Sequence, residues 1–169
     1  GTSPWDLHQK RWQDWQQSLK NSINVATGYS SNIHLVGFST GGLLSLIIAG
    51  QPKTFIKSVV SCGTPLEIKN PRILLAKTGH FSNIAIKKLT RFHGLPFKKN
   101  IPEHPHINYQ HLPLSSVTQL LVLMKRTKRH LKKIQCPTLI IHADNDPIAS
   151  PTSMKLLLDG IQQKFRSYQ

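Results

Sequence analysis

Long apolar runs, acidic side chains and cysteines are all scarce in this chain of 169 residues. Its richest apolar stretch, 43–49, is far shorter than the roughly 18 residues that a membrane-spanning helix needs. No basic segment followed by an apolar one opens the chain, as it would in a signal peptide, and we expect a cytoplasmic protein. Cys62 and Cys136 are too few for a disulfide scaffold, so both are expected to be reduced and packed.

Acidic residues number only 7 against 22 lysines and arginines, which gives a formal net charge of +15. Such a charge permits binding to a polyanion and says nothing about the fold. The main local concentration of basic residues runs from Lys125 to Lys133. Because this run has no interleaved aromatic residues, we interpret it as a solvated helix face. A weak contact with an anionic membrane stays open, and no nucleic acid is expected as a partner.

Strand-like and helix-like segments alternate along the chain, which is typical of an α/β fold with a parallel sheet. Steps of three and four between apolar residues predict one amphipathic helix over about 6–26. Strands are predicted at 33–36, 55–62 and 138–142, and helices at 42–49, at 114–131 and from Pro151 onward. The segment between the second and third strands is less regular and richer in proline, histidine and lysine. We therefore expect a core in two pieces, 1–65 and 134–169, with an inserted and mainly helical cap at 66–133.

Five residues from Gly37 to Gly41 lie between a predicted strand and a predicted helix, in the pattern G-x-S-x-G. A turn this tight strains its central residue, Ser39, and needs small residues where the backbones approach closely, at Gly37 and Gly41. The start of the following helix points N–H groups at the place where an oxyanion would develop, among them the backbone N–H of Thr40. The pattern predicts a nucleophilic serine, with an ordinary turn as the alternative.

Two segments resemble parts of a known family. Residues 33–42 resemble the nucleophile elbow of α/β-hydrolases, in particular of capped bacterial carboxylesterases and monoglyceride-lipase-like enzymes. Residues 136–151 are similar to the strand and loop that deliver the family's catalytic acid, with Ala143 where glycine is usual. The resemblance implies a partial α/β-hydrolase fold in which Ser39 is the nucleophile and Asp146 orients the histidine base. Asp144 is the rival carboxylate, and it can instead cap its own turn.

The histidine of the triad follows the acid in the family's chain order. No histidine lies among the 23 residues from Pro147 to Gln169. The elbow also lies early, with too little chain before it for the strands that precede it in the family. We therefore expect a fragment that lacks the first strands and the catalytic histidine, and that is inactive by itself.

The resemblance places the cap over the elbow, where Phe38 and Tyr109 are candidate walls of a substrate pocket. Each is equally well explained as ordinary packing. Carboxylate and imidazole groups also cluster between Glu103 and His111. Their spacing matches no standard zinc pattern, so neither a metal nor a cofactor is expected.

The sequence thus favours a serine hydrolase that cleaves carboxylic esters through an acyl-enzyme on Ser39, with an ester or acylglycerol as substrate. The alternative is a non-catalytic module of the same fold that binds a polyanion or a membrane surface through its basic face. Acyl length, alcohol group and oligomeric state are not encoded in any pattern found here.

Overall fold

Helices and strands alternate along the part of the chain that the computed structural model describes. That part comprises residues 2–52, 55–68, 97–99, 109, 111–146, 149–162, 164 and 166–168. The helices are α1 (Pro4–Gln9), α2 (Trp12–Thr27), α3 (Thr40–Ala49), α4 (Leu114–His130), a 3-10 helix (Leu131–Lys133) and α5 (Thr152–Gly160). The strands are β1 (Ile33–Phe38), β2 (Ile56–Cys62), β3 (Phe97–Lys99), β4 (His111–Pro113), β5 (Thr138–Ile141) and β6 (Arg166–Tyr168).

Strands β1, β2, β5 and β6 form one sheet in that order, and every neighbouring pair is parallel. At the carboxyl edge, Phe38 pairs with Cys62 and Cys62 pairs with Ile141. This register brings the segments that follow β1, β2 and β5 to the same edge. The α/β class with a parallel sheet is confirmed, and β6 is an additional strand that the sequence did not predict.

The two faces of β1 differ in burial. Ile33, Leu35 and Gly37 are buried, whereas Val36 and Phe38 are each 77% exposed. Helix α3 is buried from Gly42 to its end, because its residues are almost all apolar. Each large aliphatic side chain removed from water in this way contributes about 1.5–3 kcal/mol. This burial fixes α3 against the sheet, and the elbow lies between β1 and α3.

The chain divides into two compact units. One consists of residues 1–14 and 70–121, and the other of 15–69 and 122–169. The second unit contains the four-stranded sheet, α3 and α5. The predicted cap of 66–133 overlaps the first unit over 70–121. Residues 66–69 and 122–133 instead belong to the second unit, and the first 14 residues belong to the first.

The single helix predicted over 6–26 is wrong, because the structure has two helices there. Helix α1 ends at Gln9, and Lys10 has an extended backbone with a ψ of 144°. Helix α2 then begins with its own cap, in which the Arg11 N–H donates to the Asp14 carboxylate at 2.7 Å. This is half of a capping box, which satisfies a backbone donor that the helix itself leaves unpaired.

None of the described helices is long and apolar enough to cross a membrane.

Candidate active site

Ser39 occupies a strained backbone position between β1 and α3. Its φ is 52° and its ψ is −116°, and it is the single non-glycine residue with a positive φ among those the structure describes. Its N–H donates to the Cys62 carbonyl at 2.8 Å, and its carbonyl accepts from the Gly42 N–H at 3.0 Å. A positive φ costs an L-residue about 1–3 kcal/mol, and such strain concentrates at functional sites. The side chain caps no backbone group of α3.

The glycines around Ser39 differ in how much space a side chain would have at each of them. A Cβ built on Gly37 would lie 2.5 Å from the Gly41 carbonyl oxygen and 2.6 Å from the Gly42 Cα. A Cβ on Gly41 would meet nothing within 4 Å. A Cβ on Gly42 would overlap the Thr64 hydroxyl oxygen. The close approach expected at Gly37 is therefore present, whereas the steric demand expected at Gly41 is found one residue later, at Gly42.

Thr40 is the first residue of α3. Backbone N–H groups in the first turn of a helix have no partner within the helix, and they carry the positive end of its dipole. Because Thr40 directly follows Ser39 and opens α3, its N–H belongs to this first turn.

The predicted acid loop follows β5 at the same edge of the sheet. Within it, the Asp146 N–H donates to the Ala143 carbonyl at 3.3 Å. One oxygen of the Asp146 carboxylate, Oδ1, accepts from the Ala149 N–H at 2.8 Å. The Asp146 side chain is half-buried, whereas Asp144 is exposed. The loop thus holds Asp146 in a fixed orientation and leaves Asp144 to solvent.

Gly63 lies between the serine and acid segments, directly after β2. It has a φ of 52°, and its N–H donates to the Ile141 carbonyl at 2.9 Å. A Cβ built on it would be 3.5 Å from the Asp146 Oδ2 atom and 3.4 Å from the Phe38 ring. The positive φ favours glycine here, whereas both neighbours are at ordinary van der Waals distance from a Cβ. The Phe38 ring and the second Asp146 oxygen thus flank one residue at the carboxyl edge.

A polar clamp joins the segment after β2 to the start of α5. The Ser153 hydroxyl accepts from the N–H groups of Leu66 and Glu67 at 3.1 and 2.9 Å, and it is fully buried. The Ser150 N–H donates to the Glu67 carbonyl at 3.0 Å, and Ile68 pairs with Ala149 across an isolated bridge. These bonds fix the far end of the loop that carries Asp146.

None of the contacts described above involves a histidine that could act as the base for Ser39. His142 follows β5, and both of its ring nitrogens are buried without a hydrogen-bond partner in the described part of the chain. It therefore does not bridge Ser39 and Asp146 by hydrogen bonds. Tyr109, the other candidate pocket wall, is half-buried and belongs to the first unit. The Glu103–His106 cluster lies outside the described residues.

Sequence reasoning missed the roles of Gly42, Gly63 and Thr64. Thr64 is fully buried, and its hydroxyl pairs with that of Ser61 at 2.6 Å. Its contact with Gly42 joins the segment after β2 to the first turn of α3. The second glycine of the Gly41-Gly42 pair was a signal for such a contact, but its partner is 22 residues away in the sequence.

A family model described as serine aminopeptidase, S33, matches residues 1–169. Among curated proteins, the thermostable monoacylglycerol lipase of Bacillus sp. (strain H-257) is 27% identical over 161 residues. That alignment covers 95% of this chain and 61% of the lipase. The chain therefore spans less than two thirds of the length of this relative.

Solved structures show the same relationship at the level of the fold. A structure of the metagenome-derived lipolytic enzymes LipS and LipT matches with a TM-score of 0.75 and 18% identity, over 99% of this chain and 66% of that one. The monoacylglycerol lipase of Paleococcus ferrophilus matches with a TM-score of 0.70 and 17% identity, over 95% of this chain and 65% of that one. At these identities the likeness concerns the fold alone.

Proposed function

Since the chain belongs to the serine aminopeptidase S33 family of α/β-hydrolases, we propose that the whole protein is a serine hydrolase that cleaves carboxylic esters. Monoacylglycerol is the substrate class we favour, because the Bacillus relative is a monoacylglycerol lipase that matches 95% of this chain. The observation that carries the proposal is the positive φ of Ser39 at the junction of β1 and α3.

In this reaction the Ser39 hydroxyl attacks the ester carbonyl carbon while a histidine takes its proton. The carbonyl oxygen becomes an oxyanion, and the Thr40 N–H donates to it together with the dipole of α3. Collapse of the tetrahedral species breaks the bond to the alcohol, which leaves with a proton from the histidine. Water then adds to the acyl group on Ser39, releases the fatty acid and restores the serine.

The role we assign to Asp146 is to orient that histidine and to stabilise its charged form. Its half-buried side chain and its bond to the Ala149 N–H support this role over Asp144. Segments at the ends of β1 and β5 are two strand spacings apart, or about 10 Å. A histidine that bonds to both side chains would occupy the space between them. Because 147–169 contain no histidine, we propose that these 169 residues alone are inactive.

The test is hydrolysis of a long-chain monoacylglycerol by the whole protein and by its Ser39→Ala variant. We expect turnover in the parent and a loss of at least about a thousandfold in Ser39→Ala, since the nucleophile is removed. Ser31→Ala, which changes an exposed loop serine, is the matched control and keeps full activity. Unchanged turnover in Ser39→Ala would refute the proposal. Preferential cleavage of a peptide amide over the ester would move the assignment to a peptidase.

A further inference from the structure

Six basic residues form a compact surface on the sheet-containing unit. Four of them are exposed in the second half of α4, and two are exposed in the 3-10 helix that follows. We call this surface the basic face, and it consists of Lys125, Arg126, Lys128, Arg129, Lys132 and Lys133.

The four residues on α4 lie on one side of the helix. At 3.6 residues per turn, they fall within an arc of roughly 160°. The opposite side carries Leu123, Met124 and Thr127, which are buried. The charge therefore does not run around the helix. It is concentrated in one direction, away from the core.

Five of the six residues of the basic face have no carboxylate partner in the described part of the chain. Lys125, Lys128, Arg129, Lys132 and Lys133 form no salt bridge with any described acidic residue. Three of the four acidic residues in this unit, Glu67, Asp144 and Asp146, follow β2 or β5 along the chain. They belong to the carboxyl edge of the sheet, whereas the basic face leads into the amino end of β5.

A cavity of about 530 Å³ adjoins the basic face, and both Lys132 and Lys133 line it. Gly50 at the end of α3 and Ile56 at the start of β2 form part of its wall. The cavity therefore lies at the amino ends of the strands. Two lysines of the basic face therefore line a recess at that end of the sheet.

We propose that the basic face docks on the anionic headgroups of a phospholipid bilayer. A cluster of four to eight lysines and arginines on an amphipathic helix is typical of such surfaces. The surface has no aromatic residues on which bases could stack, which disfavours a single-stranded nucleic acid. The choice of a bilayer rests on charge complementarity between these six cations and anionic phospholipid headgroups.

Docking through this surface leaves the catalytic edge uncovered. Lys132 and Lys133 lie at the amino ends of the strands, whereas Ser39 and Asp146 follow the carboxyl ends of β1 and β5. Binding to the bilayer and hydrolysis therefore involve different residues. Each can be lost while the other is retained.

The test measures binding of the whole protein to vesicles by sedimentation, using phosphatidylcholine alone and phosphatidylcholine mixed with an equal part of phosphatidylserine. We expect binding to the mixed vesicles only, with weaker binding as salt is raised. Each basic residue near an anionic leaflet raises affinity roughly fivefold. Replacing Lys125, Lys128, Lys132 and Lys133 by glutamine should therefore reduce affinity by at least about a hundredfold, while the same four changes to arginine preserve it.

Two double variants with the same change in net charge distinguish an effect of the basic face from a general effect of positive charge. Lys128→Gln/Lys132→Gln should weaken binding about twentyfold. Arg11→Gln/Lys155→Gln, which removes two exposed cations elsewhere, should weaken it less than about threefold. Equal losses in the two pairs would overturn the proposal, as would equal binding to both kinds of vesicle or tighter binding to duplex DNA than to the mixed vesicles.

Hydrolysis of a water-soluble short-chain ester is the readout for the proposed function. The four-glutamine variant should retain this activity while it loses vesicle binding. Vesicle binding by a protein that hydrolyses no ester would refute the proposed function and leave the docking surface supported. Ester hydrolysis without selective vesicle binding would do the reverse.

Discussion

The two ends of the same parallel strands have different local chemistry. At the carboxyl end, Ser39 and Gly63 have positive φ angles and Gly37 is in close contact with the backbone of α3. At the amino end lie lysines and a cavity, and the described backbone there has no residue with a positive φ. Strain thus concentrates at one edge of the sheet and positive charge at the other.

This difference shows how one small core supports two surfaces of different kinds. The buried residues of α3 and the sheet fix both edges without belonging to either. The strained edge holds the Ser39 backbone and the Asp146 side chain in defined orientations, at a cost of a few kcal/mol in stability. A charged edge needs only exposure, since long basic side chains act at a distance of several ångströms.

The largest expected effect tests which carboxylate belongs to the catalytic edge. In the whole protein, Asp146→Asn should lower the turnover of monoacylglycerol by about ten-thousandfold, the size of the effect when a triad aspartate is replaced. Asp144→Asn should change it less than about twofold, because Asp144 is exposed. Steady-state kinetics on both variants checks this. Loss of activity in Asp144→Asn with an active Asp146→Asn would reverse the assignment.

The next effect tests steric strain at the elbow through stability. Gly37→Ala should lower the free energy of unfolding by about 3 kcal/mol or more, because its Cβ would overlap the backbone of Gly41 and Gly42. Gly41→Ala should be neutral or should stabilise by up to about 1 kcal/mol, since alanine favours the helix. Urea unfolding of both variants gives the comparison. Equal destabilisation would mean that the two positions are crowded alike.

A smaller effect measures the backbone strain at Ser39 itself. Ser39→Gly should have a higher free energy of unfolding than Ser39→Ala, by about 1 kcal/mol, because glycine adopts a φ of 52° without a steric penalty. Thermal unfolding of the two inactive variants measures this without interference from catalysis. If Ser39→Gly is the less stable of the two, the strained conformation is not present in solution.

The smallest effect compares one cysteine at each edge. Cys62 ends β2 and is half-buried, whereas Cys136 precedes β5 and is 6% exposed. Burial raises the pKa of the Cys136 thiol, so the folded state holds that proton more tightly than the unfolded chain does. Stability should therefore decrease slightly as the pH rises through the ordinary thiol pKa, at about 8.5.

Alkylation at pH 8 followed by peptide mapping measures this difference. We expect Cys62 to be modified first, and Cys136 to react at a rate limited by its burial. Cys136→Ser should reduce the loss of stability at high pH. Faster modification of Cys136 would contradict the burial that the structure assigns to it.

Features determined by local sequence could be predicted. The order of strands and helices around Ser39 follows from apolar segments and glycines within a few residues of one another, and the resemblance to α/β-hydrolases is confirmed. The helix break at Lys10 was missed because the apolar residues of α2 follow one helical spacing, which suggested a single helix. The only local signal of a new helix start was Asp14, three residues after Arg11.

Contacts between distant segments could not be predicted. Gly63 is 83 residues from Asp146 in the sequence, and only the register of β2 against β5 brings them together. Strand β6 consists of Arg166, Ser167 and Tyr168. These three residues show no alternation of apolar and polar side chains from which a strand could be predicted. The direction of the basic face likewise depends on which side of α4 is buried.

The central claim is that Ser39 is the nucleophile, and labelling of the whole protein with a fluorophosphonate probe tests it most directly. We expect one adduct, mapped to Ser39, that disappears in Ser39→Ala and after the protein is unfolded. An adduct on another serine in a protein that hydrolyses esters, or no adduct at all in such a protein, would contradict it.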